Sequence, residues 1–236
     1  MAVAERAAKN GKAGEVALDG EEEVGSEDIR HIKIRPIQVQ MARIEIEGIT
    51  PLIVHNFSEK SKRQMLRKQM KVAPETGREA KNPEENFRNS LYVLPGKEKM
   101  KDDSVGKYYV PGISFKHAAV DGCRYIDAKE LNMTRAKGLF FIEDIPGPVI
   151  KFSSLVMRED YVKNETKVAD IRHRGEFQNW SVDLNISFNQ NTVNLDQIVT
   201  MLNAGGYHCG IGEWRPSAPK GRPGIYGRFR VVGVQA

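Results

Sequence analysis

The chain has 236 residues, of which 40% are hydrophobic, and a formal net charge of +5, which suits one enlarged domain with a substantial core. No apolar run approaches the roughly 18 residues that a membrane span needs, the first residues lack the layout of a secretory signal, and two cysteines do not make a disulfide framework. These features exclude a membrane-spanning or disulfide-built protein, and we expect a cytoplasmic one.

The charge is distributed unevenly along the chain. Residues 1–28 contain eight acids and three bases, a net charge of −5, so the remaining residues carry +10. The opening segment is rich in Ala, Gly and Glu and has no hydrophobic period, which predicts that residues 1–30 form a disordered acidic tail. A basic body suggests a polyanionic partner. Many basic proteins are merely soluble, so the charge alone leaves both interpretations open.

The first elements predicted in the domain that spans residues 31–236 are two strands. Ile44 and Ile46 alternate with charged residues, a pattern typical of a half-buried strand, and this strand ends at Gly48. An extended apolar run resumes over residues 52–54.

Two helices and a loop are predicted next, and together they form an insertion over about residues 58–107. Residues 58–71 have a helical pattern with six bases and one acid. Asn82-Pro83 predicts a second helix start, because Asn is a favoured cap and Pro suits the first helical position. Residues 95–106 are rich in Gly, Lys and Asp, which is typical of a mobile loop.

The middle of the chain is predicted to contain a strand, a helix and a second strand. Residues 108–110 form a short strand, and the Pro-Gly pair at 111–112 then leads into a helix over about 114–126. Residues 147–156 return as a strand. Residues 157–177 mix charges with little period, and we expect them to form a second insertion that leaves the core.

The last third of the chain has the clearest periodicities. Residues 180–188 alternate apolar and polar side chains, as a half-buried strand does. Apolar residues then recur at helical spacing over 195–202, and the glycine pair at 205–206 is predicted to end that helix. A glycine- and arginine-rich loop over 210–224 leads to a last strand at 226–234.

Without the two insertions, the predicted order of elements is βαββαβ, which is the arrangement of the ferredoxin-like fold. We therefore expect an α+β protein with a ferredoxin-like, RRM-like core, two insertions and a disordered N-terminal tail. RRM domains present the open face of such a sheet to single-stranded RNA. The fold alone does not establish that function, since many ferredoxin-like proteins bind no nucleic acid.

Three segments in the chain have the form of known motifs. They are GITPLIVH at residues 48–55, YVPGISFK at 109–116 and GIGEWRPSAPKGRPGIYGRFR at 210–230. In this order they resemble the opening strand, the strand-to-helix turn and the glycine-rich closing segment of the RAMP superfamily of CRISPR effector complexes, especially its guide-RNA-coating backbone subunit. The chain departs from that pattern at His117, where the family usually has Gly, and in its large first insertion.

The same segments contain residue types suited to nucleic-acid binding. A helix N-terminus at Pro111-Gly112 offers free N–H groups to a phosphate, and Ser114 and Lys116 add a hydroxyl and a charge. In the third segment, glycines allow a close backbone approach, bases supply charge and aromatic rings suit stacking on nucleobases. These residues are Arg215, Lys220, Arg222, Arg228 and Arg230, with Trp214 and Tyr226. Ordinary turn chemistry and a solvated loop are the alternative interpretations.

The resemblance also implies a role for the second insertion and a set of partners. In RAMP backbone subunits the corresponding excursion forms a thumb over the nucleic acid, which would give Arg172 and Arg174 a contact role. The implied partners are single-stranded RNA or DNA, further copies of the chain and other effector subunits, with no membrane.

The sequence predicts no metal site and no cofactor, because its five histidines and two cysteines match no zinc-finger or HExxH spacing. Some RAMP proteins cut RNA without metal by using a histidine as general base, and His55 and His117 are candidates for that role. Neither has a visible catalytic partner, so we expect a binding protein with no catalytic residue. Two alternatives stay open: a metal-independent RAMP-fold endoribonuclease, and a phage-type single-stranded DNA-binding or annealing protein.

Overall fold

A computed structural model of the chain describes residues 36–57, 59–72, 82–100, 102–103, 105–163, 169–218 and 223–236. The predicted acidic tail, residues 1–30, lies outside these ranges. The residues from Ile37 to Ala236 form one compact unit. In the described part of this unit there are seven strands and five α-helices, so the protein is α+β, as the sequence predicts.

Strands and helices alternate in groups along the chain. The strands are β1 (Val39–Gly48), β2 (Leu52–Val54), β3 (Phe140–Ile142), β4 (Ser154–Lys163), β5 (Ala169–Gln178), β6 (Ser181–Asn189) and β7 (Phe229–Gln235). The helices are α1 (Glu59–Gln69), α2 (Pro83–Asn89), α3 (Gly112–Gly122), α4 (Met133–Ala136) and α5 (Leu195–His208), with 3-10 turns at Cys123–Tyr125 and Lys129–Leu131. None of the helices in the described ranges is long and apolar enough to cross a membrane.

Four strands form an antiparallel sheet in the order β3-β6-β1-β7. The apolar residues that alternate along β1 and β6, such as Ile44 and Leu184, are fully buried. Helices α3 and α5 pack against each other, and the Phe115 ring of α3 lies 5.4 Å from the Phe229 ring of β7. Along the chain, the elements of this layer follow one another as β1, α3, β3, β6, α5 and β7.

The strand that follows β1 in chain order within this sheet differs from the predicted one. It is β3, whereas residues 147–156 make isolated bridges at Val149 and Lys151 and then enter β4. Residues 108–110, also predicted as a strand, form only isolated bridges. The three residues of β3 are too few to show a period in the sequence, which explains why the sequence does not predict this strand.

A second antiparallel sheet has the order β2-β5-β4. Strands β4 and β5 pair from Ser154↔Gln178 to Lys163↔Ala169, so the segment predicted as an excursion with little period consists largely of two long strands. Directly opposite residues share a face, and Arg158 lies opposite Arg174. The middle of this face is charged, with Asp160 and Glu176 beside the two arginines, and this weakens the hydrophobic alternation in the sequence.

Helix α5 shows both a correct and a wrong sequence prediction. Its start follows the sequence, with a capping box in which the side chains of Asn194 and Gln197 each accept the other residue's backbone N–H. Its predicted end at Gly205-Gly206 is wrong, because the helix continues to His208. A Cβ at Gly205 would overlap the Ala118 carbonyl of α3. The glycines therefore serve the close approach of α5 to its neighbours, and they do not terminate the helix.

Helices α2 and α3 form where the sequence predicts helices. Helix α2 begins at Pro83, and the Asn82 side chain accepts hydrogen bonds from the amides of Glu84 and Glu85. Helix α3 begins at Gly112 and ends at Gly122, so it is shorter than the predicted helix over 114–126, whose end is a 3-10 turn.

Candidate nucleic-acid interface

A cleft of about 280 Å³ lies between α3, the end of β2 and the glycine-rich loop, which runs from the end of α5 to the start of β7 at Phe229. All three RAMP-like segments contribute to it, although they are far apart in the sequence. Its polar lining residues are His55, Tyr92, Ser114, His117, Asp121, Glu213, Arg215 and Ser217. This convergence makes the cleft the candidate functional site.

Backbone hydrogen bonds hold the glycine-rich loop against β2. The Glu213 amide donates to the Ile53 carbonyl at 2.8 Å, and the Gly227 amide donates to the Pro51 carbonyl at 2.8 Å. Gly212 has a φ of +75°, and a Cβ there would overlap the Ile53 carbonyl oxygen. The glycine that the sequence assigns to a close approach to phosphate is thus needed for a close approach to β2.

Helix α3 places three polar residues on the cleft wall. Ser114, His117 and Asp121 stand at i, i+3 and i+7, so they share one face of the helix. At the start of the helix, the Gly112 amide donates to the Pro146 carbonyl at 3.3 Å and the Ser114 amide to the Pro111 carbonyl at 2.9 Å. Two of the amides predicted to form a phosphate site are therefore already bonded within the protein.

A buried ion-pair network adjoins the cleft, and Asp160 of β4 is its centre. The carboxylate is 6% exposed and accepts hydrogen bonds from Arg158 Nε at 2.7 Å and from an Arg174 terminal nitrogen at 3.1 Å. It also accepts one from the Trp214 indole N–H at 3.3 Å. These bonds join β4, β5 and the glycine-rich loop, so Asp160 fixes the loop to the β4–β5 pair.

His55 links this network to the cleft. Its Nδ1 accepts a hydrogen bond from Arg174 Nε at 2.9 Å, so that nitrogen is unprotonated and the neutral ring carries its proton on Nε2. Burial, and then the positive charge of Arg174, lower the pKa of the His55 imidazole below its ordinary value. With Nδ1 engaged and Nε2 protonated, His55 has no free lone pair and is placed to donate, not to act as general base.

The two aromatic residues of the loop also belong to the network. Trp214 has a left-handed φ of +54° and is tied to Asp160 through its indole. The Tyr226 hydroxyl accepts a hydrogen bond from Arg158 at 2.8 Å, and the Arg158 guanidinium lies 4.7 Å from the centre of its ring. Trp214, Tyr226 and Arg174, predicted to touch nucleic acid, hold the loop and the second sheet together in this structure.

Of the other predicted site residues, Ser114 and Arg215 lie in the cleft. Two hydrogen bonds hold the Arg215 guanidinium in the loop. One terminal nitrogen donates to the Gly212 carbonyl at 2.7 Å, and Nε donates to the Ser217 hydroxyl at 3.2 Å. Its second terminal nitrogen has no hydrogen-bond partner among the described residues. This nitrogen is therefore the donor that the cleft can offer to an anion or a base oxygen.

The remaining predicted residues lie elsewhere. The Lys116 ammonium donates to the carbonyl oxygens of Ala136, at 3.2 Å, and Phe140, and burial lowers the pKa of this amine to about 8. Arg228 donates to the Tyr207 carbonyl at 3.2 Å and lies over the Tyr207 ring. Arg172 of β5 is 3.9 Å from Asp170, and Arg230 of β7 is 2.8 Å from Glu47. Lys220 and Arg222 lie outside the described residues.

The open face of the four-stranded sheet does not form the stacking surface that an RRM-like interpretation suggests. Of the four aromatic residues on its strands, three are buried and Phe141 alone is exposed, at 59%. The charges on this face pair with one another: Asp183 is 2.6 Å from Arg43 and 2.7 Å from Lys151. The cleft is therefore the stronger candidate for a nucleic-acid interface.

Sequence reasoning missed the acidic members of the site. Asp121 and Glu213 line the cleft, and Asp160 organises the network, yet a search for phosphate-binding residues passes over carboxylates. The helical spacing of Asp121 from Ser114 is the signal that could have placed it on the same wall. In the described ranges, no group of three or more His, Cys, Asp or Glu side chains could hold a metal ion.

The fold and the cleft together define an α+β protein with two antiparallel sheets and a polar cleft beside a buried ion-pair network. No family model matches the sequence, and no curated protein matches it. Among solved structures, the chain is similar to Cmr6 from Pyrococcus furiosus. The identity is 10% and the TM-score 0.39, over 84% of this chain and 100% of that chain.

Proposed function

We propose that the chain is a RAMP-like protein that binds single-stranded nucleic acid, and specifically RNA, through the cleft. The observation that carries this proposal is the meeting of the three RAMP-like segments at one cleft. Residues separated by more than a hundred positions provide its walls, which is the arrangement expected of a binding site and not of three unrelated turns.

The proposal includes a finer assignment of the fold. We infer that the four-stranded sheet, with α3 and α5, is a ferredoxin-like core. The chain order β1, α3, β3, β6, α5, β7 has the βαββαβ form, and the antiparallel order β3-β6-β1-β7 supports the same assignment.

The biological role that the resemblance implies is that of a coat. The chain would cover a single-stranded guide RNA as one of many copies, together with other effector subunits of a CRISPR-type or mobile-element system. The +10 charge of residues 29–236 supports a polyanionic partner, because neutralised phosphates release counterions and thereby favour binding.

The first experiment measures what the purified protein binds. A discrete RNA should copurify with it, and affinity for labelled single strands should fall steeply as salt rises. Arg215→Ala should weaken binding, because it removes the guanidinium nitrogen that has no partner among the described residues and faces the cleft. Arg230→Ala is the matched control, because Arg230 pairs with Glu47 on the open sheet face. Equal affinity at low and high salt, or equal effects of the two variants, would contradict the proposal, and a preference for DNA would favour the annealing-protein alternative.

A second candidate function, metal-independent RNA cleavage, is favoured by the position of His117. This histidine is exposed on the cleft wall, one helical turn before Asp121, and has no hydrogen-bond partner among the described residues. A free imidazole at a bound strand could remove a proton from a 2′-hydroxyl.

Incubation of the protein with labelled RNA in the absence of metal tests this candidate. We expect intact RNA in a protein-bound band. Discrete fragments from the wild-type protein that disappear with His117→Ala, and persist with His55→Ala, would establish the nuclease instead.

A further inference from the structure

The lining of the cleft is more acidic than a path for phosphates requires. Asp121 and Glu213 face the same cavity as Arg215. A carboxylate repels a phosphate but accepts hydrogen bonds readily, and phosphate contacts carry no sequence information, whereas base edges do. The two carboxylates therefore suit the edge of a nucleobase and not the backbone of the strand.

Each carboxylate lies near an arginine and remains accessible. The Glu213 carboxylate is 42% exposed and 3.5 Å from Arg174, while its amide is bonded to Ile53. The Asp121 carboxylate is 44% exposed and 3.9 Å from Arg124. Asp121 belongs to helix α3 and the Glu213 backbone is bonded to Ile53, so little ordering of the backbone is required when a ligand donor binds to these acceptors.

The size of the cavity limits what can enter it. About 280 Å³ is just below the range of roughly 300–1,000 Å³ that holds drug-sized ligands. Such a volume is large enough for one base that has left its stack. Sequence-specific proteins read single-stranded RNA in this way, by hydrogen bonds to the edges of splayed bases.

Resting on the nucleic-acid-binding function proposed above, we propose that the cleft binds one unstacked guanine. Its N1–H and 2-amino group would donate to Asp121 or Glu213, and its O6 or N7 would accept from Arg215. The neutral His55 contributes a further donor at Nε2.

The chemistry of the four bases selects guanine. Guanine has two adjacent donors on one edge and the acceptors O6 and N7 on another. Adenine and cytosine place a ring acceptor beside their amino group, so a carboxylate that accepts from the amine also meets a lone pair. Uracil has a single N–H between two carbonyl oxygens. A site with carboxylates and an arginine therefore matches guanine best.

The test measures the affinity of the full-length protein for short labelled oligouridines that carry one central substitution. Guanine at that position should bind roughly tenfold tighter than uracil, within the discrimination of one good bidentate contact. Inosine, which differs from guanosine only by the missing 2-amino group, should lose most of this preference. This comparison uses the wild-type protein alone and so does not depend on whether a variant folds.

Two variants locate the contact. At least one of the variants Glu213→Gln and Asp121→Asn should bring the ratio of the affinities for guanine and uracil towards one. Neither should weaken the affinity for oligouridine. Glu85→Gln, which changes an exposed carboxylate on α2, is the matched control and should preserve the ratio.

The outcomes separate this inference from the proposed function. Tight, salt-dependent binding with equal affinity for all bases would overturn the guanine site and leave nucleic-acid binding standing. A guanine preference that both carboxylate variants retain would place the recognition elsewhere and also overturn it. If no oligonucleotide binds to the wild-type protein, the proposed function fails as well.

Discussion

Asp160 receives hydrogen bonds from Arg158 on its own strand, Arg174 on β5 and Trp214 in the glycine-rich loop. A buried guanidinium, a half-buried one and an indole thus share a single carboxylate. Removal of one member of such a group leaves the others unpaired in a poorly solvated place, and this cost exceeds the net value of the intact pair.

We expect Asp160→Asn to lower the free energy of unfolding by about 3 kcal/mol, because Arg174 would remain buried without its main counter-charge. Asp183→Asn is the matched control, since Asp183 pairs with arginine and lysine side chains that are about half exposed, and such pairs contribute roughly 1 kcal/mol or less. Urea denaturation of both variants measures the difference. Similar losses in the two would show that the network is not a stabilising centre.

His55 gives the protein a pH-dependent stability whose sign follows from its environment. Its folded-state pKa lies below 6.5, so in acid the unfolded chain takes up a proton before the folded protein does. The contribution of neutral His55 to the free energy of unfolding should be fully present above about pH 6.5 and should be lost as the pH drops below that value. His55→Gln, whose side-chain oxygen can still accept from Arg174, should show a shallower fall. Denaturation between neutral and mildly acidic pH, with His117→Gln as control, measures it, and identical slopes in all three proteins would refute it.

At the scale of whole elements, the sequence predicts those whose packing is apolar and periodic. The strand β6 and the helix α5 begin within a residue or two of their predicted starts, because their buried sides alternate regularly. The sequence does not predict β4 and β5 as strands, because the side chains that join them to the loop are charged. Hydrophobic periodicity cannot show a face that is stabilised by ion pairs.

The sequence singles out the three segments that line the cleft, but it does not show how the bases of these segments are paired. The three RAMP-like segments do meet, but most of the bases chosen for their charge are used inside the protein. Lys116 is bonded to backbone carbonyls, Arg228 to Tyr207 and Arg230 to Glu47. A base in a sequence does not reveal which neighbour neutralises it, since that depends on contacts between distant segments. The sequence does not indicate the carboxylates of the cleft either, because distant segments bring them together.

Gly205 tests the close packing of α5 on α3. In a helix, alanine is normally more stable than glycine by about 1 kcal/mol. Here the Cβ of an alanine would overlap the Ala118 carbonyl. We expect Gly205→Ala to destabilise the protein by about 1–3 kcal/mol, and thus to lower the melting temperature by roughly 2–4 °C per kcal/mol for a chain of this size. Gly138→Ala, where nothing lies within 4 Å of the new atom, should be neutral or stabilising. If Gly205→Ala is stabilising too, the contact between the helices is not as close as described.

For the molecule as a whole, the pairing of charges on the open sheet face makes that face a weaker candidate for binding a strand. The +10 charge of residues 29–236 is a total, and part of it is neutralised locally, as at Arg43 and Lys151. Electrostatic attraction of a strand therefore depends on bases outside such pairs. A segment of opposite charge in the same chain would compete with the strand for them.

The acidic residues of segment 1–28 provide such a charge within the same chain, at a net −5. Because the segment is poor in apolar residues, we expect its deletion to leave the melting temperature nearly unchanged and to tighten nucleic-acid binding at low salt. At 1 M salt, where the screening length is about 3 Å, the difference should vanish. A second variant, with Asn and Gln in place of the acids of 1–28, keeps the length and should bind like the deletion. A large loss of stability on deletion would show that the segment is part of the fold, and unchanged affinity in both variants would show that it does not compete.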